Sequence, residues 1–456
     1  ITKYRNEILK DCKKAFDSKS NYDLSKTVKT LQGGEYGLSQ SNTSGFIIGF
    51  CMKDFITQGL ILDKGPNAND LNIDNLTGLI KSAIGSSSTP TIRSVSEEDK
   101  AFIKYAPKMF GLSPGEGNIK AVVNTITNGF SSISNRVPLW VLPDHIDMEG
   151  DPKANKMRTL IENITKICRI SSKGNAQEYS DAIKNVGTLF IEDPDLAADC
   201  SKYMKSMTLK MAFTEHLQKE YPDLIQQAES LGIDQVSYTN AVLSKMSTDA
   251  GYLWVETNLA ENVREVQGEY NIVGIFRPLF PGDVKSYDNL IRDLNKMIME
   301  ECKLPRQTIL SAHDSLTSLL DCLEELDRQK DVGSLERMAE SSKQNLGIIR
   351  NMFFDPENKE ILGLIRSKAG DLKGLDDSEL NQIYNGMEPW FKKSESEFIA
   401  TIRKKCEEYA QNQIHNKIKE IWRQKTSSDG PRGWSEANHM PASFSMYALN
   451  ESDRGL

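Results

Sequence analysis

Apolar residues recur at steps of three and four along most of the chain. The clearest run is 154–171, where Met157, Leu160, Ile161, Ile164, Ile167 and Cys168 fall on one face of a helix. The same spacing predicts helices over 2–16, 117–130, 176–190, 196–219, 222–231 and 236–254. Pro222 suits the first turn of its helix, where a missing N–H costs nothing. Over 307–328 the pattern tightens into heptads. Ile309, Leu316 and Leu323 repeat every seven residues, as do Ala312, Leu319 and Leu326. That seam needs a partner helix, and 336–352 and 395–424 are both long enough to supply one within the chain.

Glycine and short apolar runs break this regularity near the N-terminus. "LQGGEYGLSQSNTSG" interrupts any helix. "FIIGFCMKDFITQGLILDKGPNAND" predicts a buried helix ending at Gly59 and a short strand at "LILD", the outline of a small winged-helix-like unit. "IGSSSTPTIRSV" (84–95) reads as a linker, and Ser96 with Asp99 as a capping box for the helix that follows. The expected class is mostly α: multi-helix bundles, with at most that one small winged-helix-like unit carrying short strands. The expected division is 1–90 (small helical or winged-helix-like domain), 91–235 (helical domain), 236–305 (helical connector), 306–425 (long-helix bundle) and 426–456 (loop leading to a further domain).

Composition narrows the function classes. Hydrophobic residues make up 38% of the 456, a low share that suits a large helical assembly with many solvated faces. The formal charge of −8 gives no general attraction to nucleic acid or anionic membrane. Only 391–425 is locally basic, with nine Lys or Arg against five Glu. The seven cysteines are scattered without a CxxC pair, which fits reduced thiols in the cytoplasm. No apolar run reaches the roughly 20 residues of a membrane helix, and no signal peptide is present.

Candidate chemistry is sparse. The phosphate loop GxxxxGK[ST] does not occur. "VGTLFIEDPD" ends on Glu192 and Asp193 as a magnesium-holding strand would, yet reads better as a helix end. "DHIDMEGD" (144–151) gathers four acids and His145, but its spacing fails the EF-hand rule and a solvated loop is expected. His313 and Asp314 lie beside the heptad seam without a positioned nucleophile. Arg403, Lys404, Lys405, Lys417, Lys419, Arg423 and Lys425 share a helix with Tyr409 and Trp422. Glu407, Glu408 and Glu420 are interleaved at salt-bridge spacing, which favours a solvated charged face over a phosphate-binding one. No catalytic residue, cofactor-binding residue or metal ligand is assigned on these grounds.

Tryptophan carries more information. "NRVPLWVL" sets Trp140 between two prolines, and "YLWVETNLAENVREVQGEYNIV" sets Trp254 at a helix end; both read as packing anchors. Together with "GFCMKDFITQGLIL" and "IWRQKTSSDGPRGWSEANHMP", these phrases resemble segments of the very large ATPases of bacterial phage-defence systems, the BREX type and its relatives. The matching positions are Pro138, Leu139 and Trp140, then Leu253 and Trp254, then Trp434, Ser435, Glu436 and Pro441. Gly433 departs from the pattern, which has an acidic or similar residue before that Trp.

The resemblance implies a non-catalytic helical scaffold or coupling region from a longer chain whose ATP-hydrolysing P-loop domain lies elsewhere. The start at Ile1 and the stop shortly after "GWSEANHMP" fit such a piece. Its expected partners are other domains of the parent or defence-complex subunits, with DNA reachable through the mildly basic helix and no membrane. Two alternatives stand beside it: a stand-alone helical protein-interaction module, and an enzyme whose site is assembled from dispersed residues.

Overall fold

Serine at 96 and aspartate at 99 show how local sequence starts a helix here. Ser96 Oγ accepts from the Asp99 N–H at 3.1 Å, and the Asp99 carboxylate accepts from the Ser96 N–H at 2.9 Å, which completes the expected capping box. A computed structural model describes residues 24–46, 60–63, 69–85, 91–170, 175–246, 250–280, 286–325 and 331–439, without 35, 116, 150 and 429, and a few isolated positions before residue 24. The fold is mostly α, as the periodicity predicts. The chain divides into two compact units, 1–226 with 234–263, and 227–233 with 264–456.

The first unit begins with helices α1 (Leu24–Gln32) and α2 (Gln40–Phe46), then strands β1 (Leu60–Asp63) and β2 (Asn69–Asp70), helix α3 (Ile73–Gly85) and strand β3 (Thr91–Ser94). The strands form one antiparallel sheet in the order β2-β1-β3, with Ile61 opposite Arg93. "LILD" is thus the strand its composition predicts. The helix expected just before it, and most of the one expected over 2–16, lie outside the described residues. The expected linker 84–95 is not a linker at its end: Thr91–Ser94 pairs with β1, because the β-branched "TI" finds an open strand edge.

Beyond the sheet the unit is helical: α4 (Glu97–Tyr105), α5 (Ile119–Ile133), α6 (Leu142–Glu149), α7 (Ala154–Ile170) and α8 (Ala176–Glu192). Helix α8 packs on both α4 and α7. Its Gly187 lets the backbones close, since a Cβ there would lie 2.2 Å from the carbonyl oxygen of Glu98. Met157, Leu160, Ile161, Ile164 and Ile167 of α7 are all buried, as their spacing requires. The single helix expected over 196–219 is instead two, α9 (Leu196–Ser201) and α10 (Ser206–Glu220), and α11 (Pro222–Ser230) follows. Similarly, 236–254 resolves into α12 (Gln235–Lys245) and a short 3-10 turn at Ala250–Leu253. Helix α13 (Leu259–Phe276) leads into the second unit.

In the second unit, α14 (Tyr287–Asn295) precedes the heptad region. Ile309, Leu316 and Leu323 are buried, but the helix carrying them is broken. It runs as α15 (Arg306–Ala312), a 3-10 turn and α16 (Thr317–Glu325). His313 sits at the break with φ −140°, its Nε2 2.5 Å from Glu360 Oε1. The partners are internal. Helix α16 packs on α17 (Val332–Ser342), and α15 packs on the 32-residue α21 (Glu395–Thr426). Between them lie α18 (Leu346–Phe353), α19 (Lys359–Ala369) and α20 (Asp377–Asn385), of which the last two pack on α21. A short helix α22 (Pro431–Ala437) closes the described chain, inside the segment expected to be a loop.

Candidate functional site

Two tryptophan phrases, around Trp140 and Trp254, converge in the first unit. Asn135 and Arg136 take left-handed conformations (φ 47° and 70°), which turn the chain sharply after α5. Pro138 is extended, and Leu139–Val141 then forms a 3-10 turn that runs into α6. Leu139, Val141 and Leu142 point into the core, so Trp140 is left half-buried at the surface. Its indole N–H donates to the Tyr252 carbonyl at 3.0 Å. Trp254 is buried against Phe130, with ring centroids 5.2 Å apart, and Phe130 meets Phe110 at 5.8 Å. The two residues read as anchors therefore differ: Trp254 is one, whereas Trp140 is partly a wall.

The wall belongs to a cleft of about 380 Å³. Trp140, Pro143 and Trp254 form its apolar side, and Ile161 its floor. The polar face of α7 supplies Arg158, Glu162, Thr165, Lys166 and Arg169, in steps that keep them along one ridge. Arg158 is engaged by Asp147 and by Asp144 at 3.8 Å, and Asp144 also receives Lys219 at 3.2 Å. That contact, first of all, raises the Lys219 ammonium above its ordinary value. Arg169 meets Glu178 at 3.3 Å. Lys166 and Glu162 enter no ion pair among the described residues and remain on offer to a ligand. Thr165, the lining hydroxyl, donates to the Ile161 carbonyl at 2.7 Å instead of facing a base. Such a cleft can hold a flat or aliphatic group against indole and place a charged group beside Lys166. Its size lies at the low end of small-molecule sites.

Behind Trp140 stands His216, edge-on to the indole at 5.2 Å and 82°. Neither of its ring nitrogens has a hydrogen-bond partner among the described residues. Burial lowers its pKa below 6.5, outweighing the upward pull of Glu256, Glu220 and Asp144. In the second unit a larger, shallower depression of about 970 Å³ is lined by Arg306, Lys392 and Lys393 among others. Arg306 is already held there by Asp321, so it serves less well as a recognition group.

Glu192 ends α8 and Asp193 caps it, and no strand forms there. Asp193 and Asp199 grip Lys153 at 2.9 and 2.7 Å, which holds both carboxyls below their ordinary range. "DHIDMEGD" is not a loop: Asp144–Glu149 lies in α6. His145 is buried, its Nδ1 2.7 Å from Glu215 Oε2, and the Asp151 carboxylate accepts from the Tyr203 hydroxyl at 3.2 Å. Asp314 is exposed beside the His313 break. Among the described residues no group of three His, Cys, Asp or Glu is placed to hold a metal ion. No described helix is long and apolar enough to cross a membrane. Of the described cysteines, burial pushes the Cys168 and Cys302 thiols up to about 12.

Sequence reasoning missed His216, Lys166 and Arg169. The only local signal was the polar side of the α7 pattern, which looks the same whether it faces water or a ligand. No protein-family model matches the chain, and no curated protein or solved structure is similar to it.

Proposed function

We propose that the chain is a non-catalytic helical scaffold that engages partners, and that it couples them to the ATPase domain of a large bacterial anti-phage defence protein of the BREX type. One observation carries this reading. The Pro-Leu-Trp and Leu-Trp phrases, on which the resemblance rests, converge on a single cleft through the Trp140–Tyr252 hydrogen bond. Phrases that serve only packing have no need to frame an opening edged by Lys166, which enters no ion pair among the described residues. In this reading the cleft takes a segment of a neighbouring domain or a complex subunit, and the cytoplasm is its compartment. ATP hydrolysis belongs to the parent's phosphate loop.

The test has two arms. The reading frame that encodes the chain is expected to carry GxxxxGK[ST] upstream of Ile1, and the chain alone is expected neither to bind nor to hydrolyse ATP. A frame without that motif leaves the stand-alone interaction module. ATP turnover by the chain alone, lost on substitution within the cleft, replaces the scaffold with an enzyme.

A further inference from the structure

The distal half of α21 carries a surface that the scaffold reading does not use. The helix is held to the second unit as far as Tyr409, whose hydroxyl donates to Gln382 Oε1 at 3.2 Å. Its buried residues, Phe398, Ile402 and Cys406, all precede that point. Beyond it Ile414, Ile418 and Ile421 stand 59%, 55% and 54% exposed. Three large β-branched residues in water at spacings of four and three are the register of a helix–helix seam. The end of the helix is fixed. Ser427 turns left-handed (φ 53°), Trp422 donates its indole N–H to Ser428 Oγ at 3.0 Å, and Trp434 of α22 stands edge-on to Trp422 at 6.4 Å. This fold-back leaves the isoleucines uncovered.

At about 100° per residue the three isoleucines span only about 60° of the helix, narrower than the roughly 100° stripe that buries in a core or lies in a lipid interface. Gln411 ends the seam on one side and Lys425 on the other, with Lys417 beside it. Glu420, the nearest acid, projects from the far side, as do Lys419 and Arg423. Lys417 and Lys425 form no ion pair among the described residues, whereas Glu395 meets Lys368 at 3.1 Å and Lys404 meets Glu408 at 3.8 Å on the part held to the unit. The face is thus a short greasy seam with positive charge only.

We infer that this seam, Ile414–Ile418–Ile421 flanked by Lys417 and Lys425, docks a short amphipathic helix of a partner protein that carries Asp or Glu beside its own apolar stripe. A second copy fits less well, because pairing seam to seam brings the lysines of both copies together with no acid in reach. Nucleic acid would reward the lysines but leave the isoleucines against phosphate. The inference holds whether or not the parent is an ATPase.

The test uses the full chain and two fluorescent synthetic helices of identical Ile/Leu seam, one with Glu and one with Lys beside it, read by anisotropy at low and high salt. The Glu peptide is expected to bind at least about tenfold tighter than the Lys peptide, and more weakly as salt rises. Ile418→Ser should weaken it by about tenfold or more with the thermal midpoint unchanged. Lys417→Glu with Lys425→Glu should transfer the preference to the Lys peptide. Four results would overturn the inference: no binding up to about 1 mM peptide; equal binding of the two peptides; a dimer in sedimentation that Ile418→Ser dissociates; or tighter binding to phosphatidylserine vesicles or duplex DNA through the same residues.

Discussion

Trp140 donates its indole N–H to the backbone carbonyl of Tyr252 across 112 residues, at 3.0 Å. The acceptor lies in the 3-10 turn Ala250–Leu253 that delivers Trp254 to the core. One hydrogen bond therefore ties the half-buried indole at the cleft to the buried one beneath it, and the two tryptophans should respond differently to substitution.

Trp254→Ala removes a buried ring packed on Phe130 and is expected to destabilise the first unit by about 3–5 kcal/mol. Trp140→Phe keeps a ring at the cleft and loses the bond to Tyr252, an expected cost of about 1 kcal/mol. Denaturant midpoints followed by far-UV circular dichroism read both. Equal losses would mean that Trp140 is as much an anchor as Trp254.

His216 should make the first unit acid-sensitive in a defined window. Burial holds its folded-state pKa below 6.5, so the folded ring stays neutral where the unfolded ring gains a proton. Stability is then flat above pH 6.5 and falls as pH drops through 6.5 towards the folded value. Asp193 and Asp199, held low by Lys153, act at more acid pH, where their stabilisation is lost as they protonate. His216→Phe keeps the edge-on contact with Trp140 and removes two unpartnered nitrogens. It should raise stability by about 1 kcal/mol and flatten the slope just below pH 6.5. An unchanged slope would show that another group titrates there.

What the sequence showed depended on how local each signal was. Helix α7 was legible because six apolar residues share one face over about three turns, and the Ser96–Asp99 box because it spans only four residues. The heptads placed Ile309, Leu316 and Leu323 in the core but not the break between them. No glycine or proline marks 313; the break coincides with the contact to Glu360, distant in sequence. "TIRS" resembled a linker because four residues carry too little pattern without β1 beside them. The cleft was silent for the same reason: Trp140 and Trp254 meet only in the folded chain, and Lys166 looks like any solvated lysine.

Glycines separate a steric requirement from a helix penalty. Gly187 of α8 has no room for a Cβ against the Glu98 carbonyl, whereas a Cβ at Gly363 of α19 would meet nothing within 4 Å. Gly187→Ala should cost about 1–3 kcal/mol despite its better helix propensity, because α4 and α8 must move apart. Gly363→Ala should gain about 0.5–1 kcal/mol. Thermal melts of the two variants check the contrast, and a stabilising Gly187→Ala would contradict the close approach of the two helices.

The buried pair of Arg93 and Asp99 joins the sheet to the first long helical pair. Arg93 lies in β3 opposite Ile61, and Asp99 in the first turn of α4. Arg93 donates to both Asp99 oxygens, one of them at 3.3 Å, and the same carboxylate closes the capping box with Ser96. Removing Asp99 alone leaves a buried guanidinium without its carboxylate. Asp99→Ala is therefore expected to destabilise by about 3–5 kcal/mol. The double variant Arg93→Met/Asp99→Leu leaves no charge stranded and should recover most of that loss, short by the cap, which contributes about 1 kcal/mol. Urea unfolding of the single and double variants distinguishes the terms. A double variant as unstable as Asp99→Ala would mean that the cap and the packing around it, not the uncompensated charge, dominate at this junction.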